Sequence, residues 1–397
     1  MKKTLFVVLA ALLSTTAYAN NCATYYEHND FRQAFTACKT EAKHGDREAQ
    51  FNLAHIYYQR IGVGNKEKAI YWYTKAAEQG LVEAQYYLAL MYNMGYVVNS
   101  HLVGIDNDKA LYWYTKAAEQ GFLEAQYKLA LMYVDDTGFE VNKEKSLYWL
   151  TQAAEQGFDK AENDLGLVYY RGDGVEKNTE KALYWFTKAM EQGASEARYN
   201  LAVMYEVGEG VEVDKKKALY LYTQAAQEGN IYAQLELAYR YDQGEGVEVN
   251  KEKARHWYSI AQEPYGCIDE LLELAYRYDQ GEDVEVNKEK AAYWYALARE
   301  ERVKERGGER GFAYTQYYLA RKYAGGYRGV KVDKRKALYW YTKAADYGDT
   351  QAMHDLGIMY YKGDGIEKNS ELAKKYFEQA CEQKLKKSCD ILHKGIK

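Results

Sequence analysis

The side chains able to do chemistry in this 397-residue sequence are spaced in ways that match few reactive sites. A zinc hydrolase needs H-E-x-x-H, two imidazoles one helical turn apart with a general base between them, and a structural zinc needs paired C-x-x-C. Neither pattern occurs, and the seven histidines are scattered along the chain. The G-x-S-x-G nucleophile turn and the phosphate-cradling P-loop are absent as well. In S-x-x-K a lysine one turn away activates a serine, but none of Ser14, Ser100, Ser146, Ser195, Ser259, Ser370 and Ser388 has a lysine three residues on. Thr36 with Lys39 and Thr40 with Lys43 have the spacing, yet both fall on a predicted helix, where i,i+3 pairs arise freely. The acidic glycine loops Gly172-Asp173-Gly174, Gly208-Glu209-Gly210, Gly244-Glu245-Gly246 and Gly363-Asp364-Gly365 supply too few oxygens for calcium, which takes six or more, and read as solvated turns. The expectation is a chain with no catalytic residues, no cofactor and no metal.

What carries the remaining residues is a soluble, folded chain. Its 53 basic and 58 acidic side chains give a formal charge of −5, which argues against a nucleic-acid partner because phosphate backbones select a concentrated cationic face. A single proline argues against Pro-rich linkers, and 43 tyrosines are the compositional outlier. Residues 1–19 read as a signal peptide: Lys2 and Lys3, an apolar run from Leu5 to Leu13, and the small-x-small site Ala17-Tyr18-Ala19, with cleavage after Ala19. That run is too short for the ~20 residues of a spanning helix, and no later segment is apolar enough for stable membrane insertion. A periplasmic or secreted location follows.

The chain is periodic. Tyr-Trp-Tyr-Thr-Lys-Ala-Ala-Glu-Gln-Gly at Tyr71 recurs at Tyr112, with related blocks at Tyr148, Tyr184, Tyr220, His256, Tyr293, Tyr339 and Lys375, at intervals of 36 to 46 residues. A fixed period of this length marks a solenoid. Residues 235–254 and 272–291 differ only at Gly246 against Asp283, the trace of an internal duplication. Within the second repeat Ala84, Leu88, Met91 and Tyr92, and then Ala110, Trp113, Tyr114, Ala117 and Ala118, recur at helical spacing, so each repeat predicts two amphipathic helices. Small alanines and large rings on one face leave a surface that only the neighbouring repeats can cover.

These blocks resemble the Sel-1-like repeat family, a tetratricopeptide-like group, and the fourth repeat shows the motif: Ala161, Leu165, Gly166, Tyr169, Gly172, Gly174, Val175, Lys181, Ala182, Trp185, Phe186, Ala189 and Gly193. The resemblance implies an all-α, right-handed α/α superhelical solenoid with a concave face that binds a protein or peptide. The expected organisation is an N-terminal capping hairpin at 20–45 and nine repeats at 46–384. Those repeats fall at about 46–80, 81–121, 122–157, 158–193, 194–229, 230–266, 267–311, 312–348 and 349–384, and a C-terminal capping helix follows at 385–397. The second, third and seventh repeats depart from the motif and are expected to stack least regularly.

Five cysteines in a chain with a signal peptide favour two local disulfides, Cys22 with Cys38 around a hairpin and Cys381 with Cys389, leaving Cys267 over. The second spacing resembles the cysteine-rich bacterial branch of the family. That branch is associated with penicillin binding and β-lactam hydrolysis, which stands as the alternative activity.

For a binding role, two columns of the first helix vary from repeat to repeat. The residue before each Leu runs Asn52, Tyr87, Lys128, Asp164, Asn200, Glu236, Glu273, Tyr318 and Asp355. Seven residues on come Gln59, Met94, Asp135, Arg171, Val207, Gln243, Gln280, Gly325 and Lys362. In repeats six to eight Arg240, Arg277 and Lys322 replace the usual Met, either as intrahelical partners of Glu236 and Glu273 four residues earlier or as a row of cations facing an acidic segment. The candidate partner contacts are therefore Tyr87, Lys128, Asp164, Glu236, Arg240, Glu273, Arg277, Tyr318 and Lys322. The tyrosines at fixed positions, such as Tyr57, Tyr92, Tyr133, Tyr169, Tyr205, Tyr241 and Tyr360, are assigned to the core.

Overall fold

A computed structural model describes residues 21–60, 65–98, 101–103, 105–134, 141–262, 268–304, 308–325 and 332–395. The signal-peptide reading, Cys267 and part of the charged insertion after Glu300 lie outside these residues or their described side chains. The chain divides into two compact units. The first holds α1 (Asn21–Glu27), α2 (Phe31–Lys43), α3 (Arg47–Arg60), α4 (Lys66–Glu78), α5 (Val82–Met94), α6 (Asn107–Glu119), α7 (Leu123–Met132) and α8 (Lys143–Glu155). A two-stranded antiparallel ribbon, β1 (Tyr96–Val98) with β2 (His101–Val103), occupies the insertion of the second repeat, an element absent from the all-helical expectation. The second unit holds α9 (Asp159–Arg171), α10 (Thr179–Glu191), α11 (Ser195–Val207), α12 (Lys215–Gln227), α13 (Ile231–Gln243), α14 (Lys251–Gln262) and α15 (Ile268–Gln280). It continues through α16 (Lys288–Lys304), α17 (Gly308–Gly325), α18 (Lys334–Asp346), α19 (Thr350–Lys362), α20 (Ser370–Glu382) and α21 (Lys386–Lys394).

Consecutive helices pair into hairpins that stack as an α/α solenoid, α3 with α4 forming the first repeat and α19 with α20 the ninth. The same local devices recur in the second to ninth repeats. The loop closes when the N–H that starts the second helix donates to a tyrosine carbonyl of the first, as Asn178 does to Tyr169 at 2.8 Å and Asp214 to Tyr205 at 2.8 Å. The side chain of that residue then caps the helix, Asn178 Oδ1 accepting from Lys181 N at 2.9 Å. Alanines supply the close approaches of the core, Ala69, Ala110, Ala182 and Ala373 among them all fully buried. Gly166 and Gly357, although inside helices, are required because a Cβ at either would stand 2.6 Å from the ring of Phe186 or Phe377.

Both local cysteine pairs are at disulfide distance: Cys22–Cys38 with Cα atoms 4.5 Å apart, joining α1 to α2, and Cys381–Cys389 at 4.8 Å, joining α20 to α21. Each staples the outermost helices of its unit. Among the described residues no helix is long and apolar enough to cross a membrane.

Candidate functional site

The polar groups of the second unit gather around a cavity of about 960 Å³ whose walls come from the fourth, fifth, seventh and eighth repeats. Arg171, Val207 and Gln280, three members of the second variable column, line it beside Tyr170, Lys177, Asp283 and Tyr323. A smaller space of about 200 Å³ adjoins it, sharing Arg171, Glu282, Asp283 and Lys336 and reaching inward to Tyr199, Asn200 and Arg277.

The arginines assigned to the groove are buried instead. Arg240 and Arg277 are 4% and 8% exposed, so both are held inside the stack by groups of this chain. The intrahelical reading fails too, because Arg240 turns to the fifth repeat, and Arg277 to the fifth repeat and the loop that follows its own helix. Arg240 pairs with Glu206 of α11, whose second oxygen accepts from Tyr222 OH at 2.7 Å. Arg277 donates to Tyr199 OH at 2.9 Å and lies 3.9 Å from Asp283. Burial opposes the charge on both guanidiniums, but the facing carboxylates and phenols outweigh it and hold both protonated. Burial likewise acts to raise the carboxyls of Glu206 and Asp283, and Arg240 and Arg171 respectively outweigh it, keeping both below the usual range.

Glu236 and Glu273 are also interior. Glu236 is inaccessible and accepts from Lys290 Nζ at 2.7 Å and Tyr278 OH at 2.5 Å. Glu273 accepts from Lys336 Nζ at 2.5 Å and Tyr323 OH at 2.7 Å. Lys322 pairs with Asp269 and lies over the Tyr318 ring, and Tyr318 is half-buried. Asp164 is half-buried and accepts from Asn163 Nδ2 at 3.3 Å. In the first unit Tyr87 stacks on Tyr73 at 5.8 Å, and Lys128 is half-buried. Glu236 and Glu273 of the first variable column thus point into the stack, and Arg171, Val207 and Gln280 of the second reach the cavity.

Two lysines were missed by sequence reasoning. Lys181, Lys217 and Lys253 sit over Tyr169, Tyr205 and Tyr241 with Nζ 4.0 to 5.0 Å from the ring, the regular position of the motif lysine. Lys290 and Lys336 occupy the same motif position but are drawn inside by Glu236 and Glu273. The signal was present: only where that column holds Glu does the lysine gain a buried partner. Also unassigned was a row of outward rings on the second helices, Tyr71, Tyr112, Tyr148, Tyr184 and Tyr220, each more than half exposed.

Among the described residues His354 Nδ1 and Ser388 Oγ are 2.8 Å from each other, with both side chains buried. Among the described residues no three His, Cys, Asp or Glu side chains are grouped to hold a metal.

The Sel1 repeat pattern matches nine segments: residues 47–81, 82–122, 123–158, 159–193, 195–230, 231–261, 271–301, 313–349 and 350–385. The chain belongs to the Sel1 repeat family. Sel1 repeat proteins serve in general as protein–protein interaction scaffolds. Two solved structures share the fold at useful similarity. One is a protective antigen of uropathogenic Escherichia coli strains displaying an SLR fold, 31% identical, covering 89% of this chain and 80% of its own, with a TM-score of 0.54. The other is a Sel1 repeat protein of Oxalobacter formigenes, 35% identical, covering 63% of this chain and 98% of its own, with a TM-score of 0.56. An F-box protein of Arabidopsis thaliana is 33% identical over 87 residues, so the chain spans about a quarter of that relative's length, 24%.

Proposed function

We propose that this Sel1 repeat protein is an extracytoplasmic scaffold that captures a protein or peptide segment in the cavity of its second unit, without covalent chemistry. The observation that carries this is the cavity itself, about 960 Å³ walled by four repeats and lined by charged and phenolic groups, which suits a polar chain segment. The leader-like residues 1–19 and the two cysteine pairs at disulfide distance support an oxidising compartment. The likeness to a protective antigen supports including host proteins among the candidate partners beside envelope components.

The test is a crosslinking pull-down with the mature protein, from the producing cell's envelope and separately from host secretions. A Lys177→Glu/Lys334→Glu variant, altered at two partly exposed cavity residues, serves as control. A partner enriched by the wild type and lost with the folded variant is expected. A partner retained equally by both removes the cavity from the reading.

A further inference from the structure

A solenoid repeat ordinarily touches only its neighbours. In the second unit two side chains break that rule: Arg277 of the seventh repeat reaches Tyr199 of the fifth, and Arg171 reaches further. Arg171, at the end of α9 in the fourth repeat, donates from Nε to Asp283 Oδ1 at 2.7 Å, and Asp283 lies in the loop of the seventh repeat, 112 residues away. The Asp283 side chain is 8% exposed, with Arg277 Nη2 3.9 Å from its other oxygen.

Asp283 is also the position at which two otherwise identical segments differ, the sister loop carrying Gly246. The corresponding residues Gly174, Gly210, Gly246 and Gly365 all have φ between +72° and +78°, and Asp283 keeps that left-handed backbone at φ +62°. A residue with a Cβ pays for such a conformation, and it persists where its side chain does something glycine cannot. The loop geometry was already aimed: a Cβ on Gly246 would lie 3.9 Å from Arg240 Nη1 of its own repeat. The seventh repeat adds a carboxylate to that aim. Arg240 finds its acid in Glu206, but the matching acid for Arg277, Asp242, is engaged by Lys251 at 2.8 Å and Tyr293 at 3.3 Å.

Arg171 is 37% exposed and, like Asp283, lines the large cavity. Two guanidiniums converging from separate repeats on one carboxylate make a recognition geometry, since the planar fork fits a carboxylate by paired hydrogen bonds. Without Asp283 the charges gathered there are Arg171, Arg277 and Lys336 against Glu282 and Glu273, with Glu282 Oε1 3.8 Å from Arg171, which leaves an excess of one positive charge. We propose that Arg171 and Arg277 form a carboxylate-recognition site of the groove, that Asp283 is its tethered occupant, and that the partner segment is acidic, exchanging a Glu or Asp side chain for Asp283. The inference rests on the scaffold reading and adds the chemistry of the partner.

The test titrates the full mature protein with hexaglutamate blocked at both ends, by calorimetry at low salt, with hexalysine as control. Asp283→Gly, which installs the residue of the sister loop, is expected to bind hexaglutamate at least tenfold more tightly than the wild type, and adding Arg171→Gln is expected to abolish the gain. Asp283→Asn, isosteric and without the charge, carries the same comparison if the glycine variant does not fold. Affinity equal to wild type in a folded variant, or a gain that survives Arg171→Gln, overturns the proposal and leaves Asp283 a structural staple only. If hexaglutamate affinity is unchanged while partner capture still depends on Lys177 and Lys334, the carboxylate site falls and the scaffold stands. Loss of both dependences removes the scaffold reading itself.

Discussion

In the first unit a relay of buried glutamines, Gln50, Gln85 and Gln126, recurs at the repeat junctions. Gln79 donates to Gln50 at 2.8 Å, and Gln50 donates to the carbonyl of Ala42 at the end of the preceding helix at 3.1 Å. Gln120, Gln85 and Ala77 repeat the relay at 2.7 and 3.2 Å, and Gln156, Gln126 and Ala118 at 2.9 and 3.1 Å. In the fifth to eighth repeats of the second unit buried ion pairs are added, Glu206–Arg240, Glu236–Lys290 and Glu273–Lys336, while Gln234 still donates to the Ala226 carbonyl at 3.0 Å. The ring packing changes as well. Tyr73, Tyr114 and Tyr222 are fully buried in the earlier repeats, whereas in the seventh and eighth the preceding motif residue, Trp294 or Trp340, takes that place. An amide relay satisfies helix-end carbonyls identically at every junction and so propagates one geometry. A buried ion pair tolerates one partner in one place and makes each junction distinct.

The comparison predicts its largest effect at Glu236. Glu236→Leu leaves Lys290, 2% exposed, with only the partly exposed Glu245 at 3.6 Å, and is expected to cost about 3 kcal/mol in denaturant unfolding, with most of it recovered in Glu236→Leu/Lys290→Met. A loss below about 1 kcal/mol would remove the distinction between the units. Arg240→Glu, which faces Glu206 with a second carboxylate, is expected to unfold the second unit before it reports on any partner.

Reduction should treat the units alike, since each carries one staple at its outer end. Opening Cys22–Cys38, 16 residues apart, is expected to cost about 3 kcal/mol, and Cys381–Cys389, 8 apart, somewhat less. Hydrogen exchange should show the loosening confined to α1 and α2 in one case and α20 and α21 in the other. Fraying that spreads through either unit would show that the stack depends on its caps.

Gln85→Leu cuts one relay and leaves the Ala77 carbonyl with Gly80 N alone at 2.9 Å and the Gln120 amide with the Lys116 carbonyl at 3.2 Å, an expected loss of about 1 kcal/mol seen as faster exchange at the first two repeats. No change there would mean that alanine and ring packing alone set the geometry.

The smallest effect is acid loosening at the second unit's cap. Burial, with Lys387 nearby, holds His354 down to about 4 from an ordinary 6.5, so its contribution is complete above pH 6.5 and drains as pH falls towards 4, where the folded imidazole also protonates. Exchange in α21 is expected to quicken over that interval in the wild type and to stay level in His354→Gln. Burial lowers His55 of the first unit as well, so its neighbourhood should loosen in the same direction.

Much of this architecture was legible in the chain. The helices follow from apolar spacing and the cysteine pairs from their short separations, because each is decided within one or two turns of backbone. The ribbon at Tyr96–Val103 was not, since three-residue strands inside an insertion carry too little pattern to compete with a loop. Nor were the fates of Arg240 and Arg277. Sequence spacing offered Glu236 and Glu273 one turn away, yet stacking placed Glu206, Tyr199 and Asp283 nearer, and a desolvated guanidinium takes the partners that surround it in space.

The sequence by itself determined the repeat, its two helices and the family, because these depend on local periodicity that every repeat states again. Only the tertiary structure decided which charges are interior, which variable column lines the cavity, and that Asp283 reaches Arg171 across 112 residues. Those outcomes depend on how small differences in packing accumulate from one repeat to the next, and no single repeat encodes that sum.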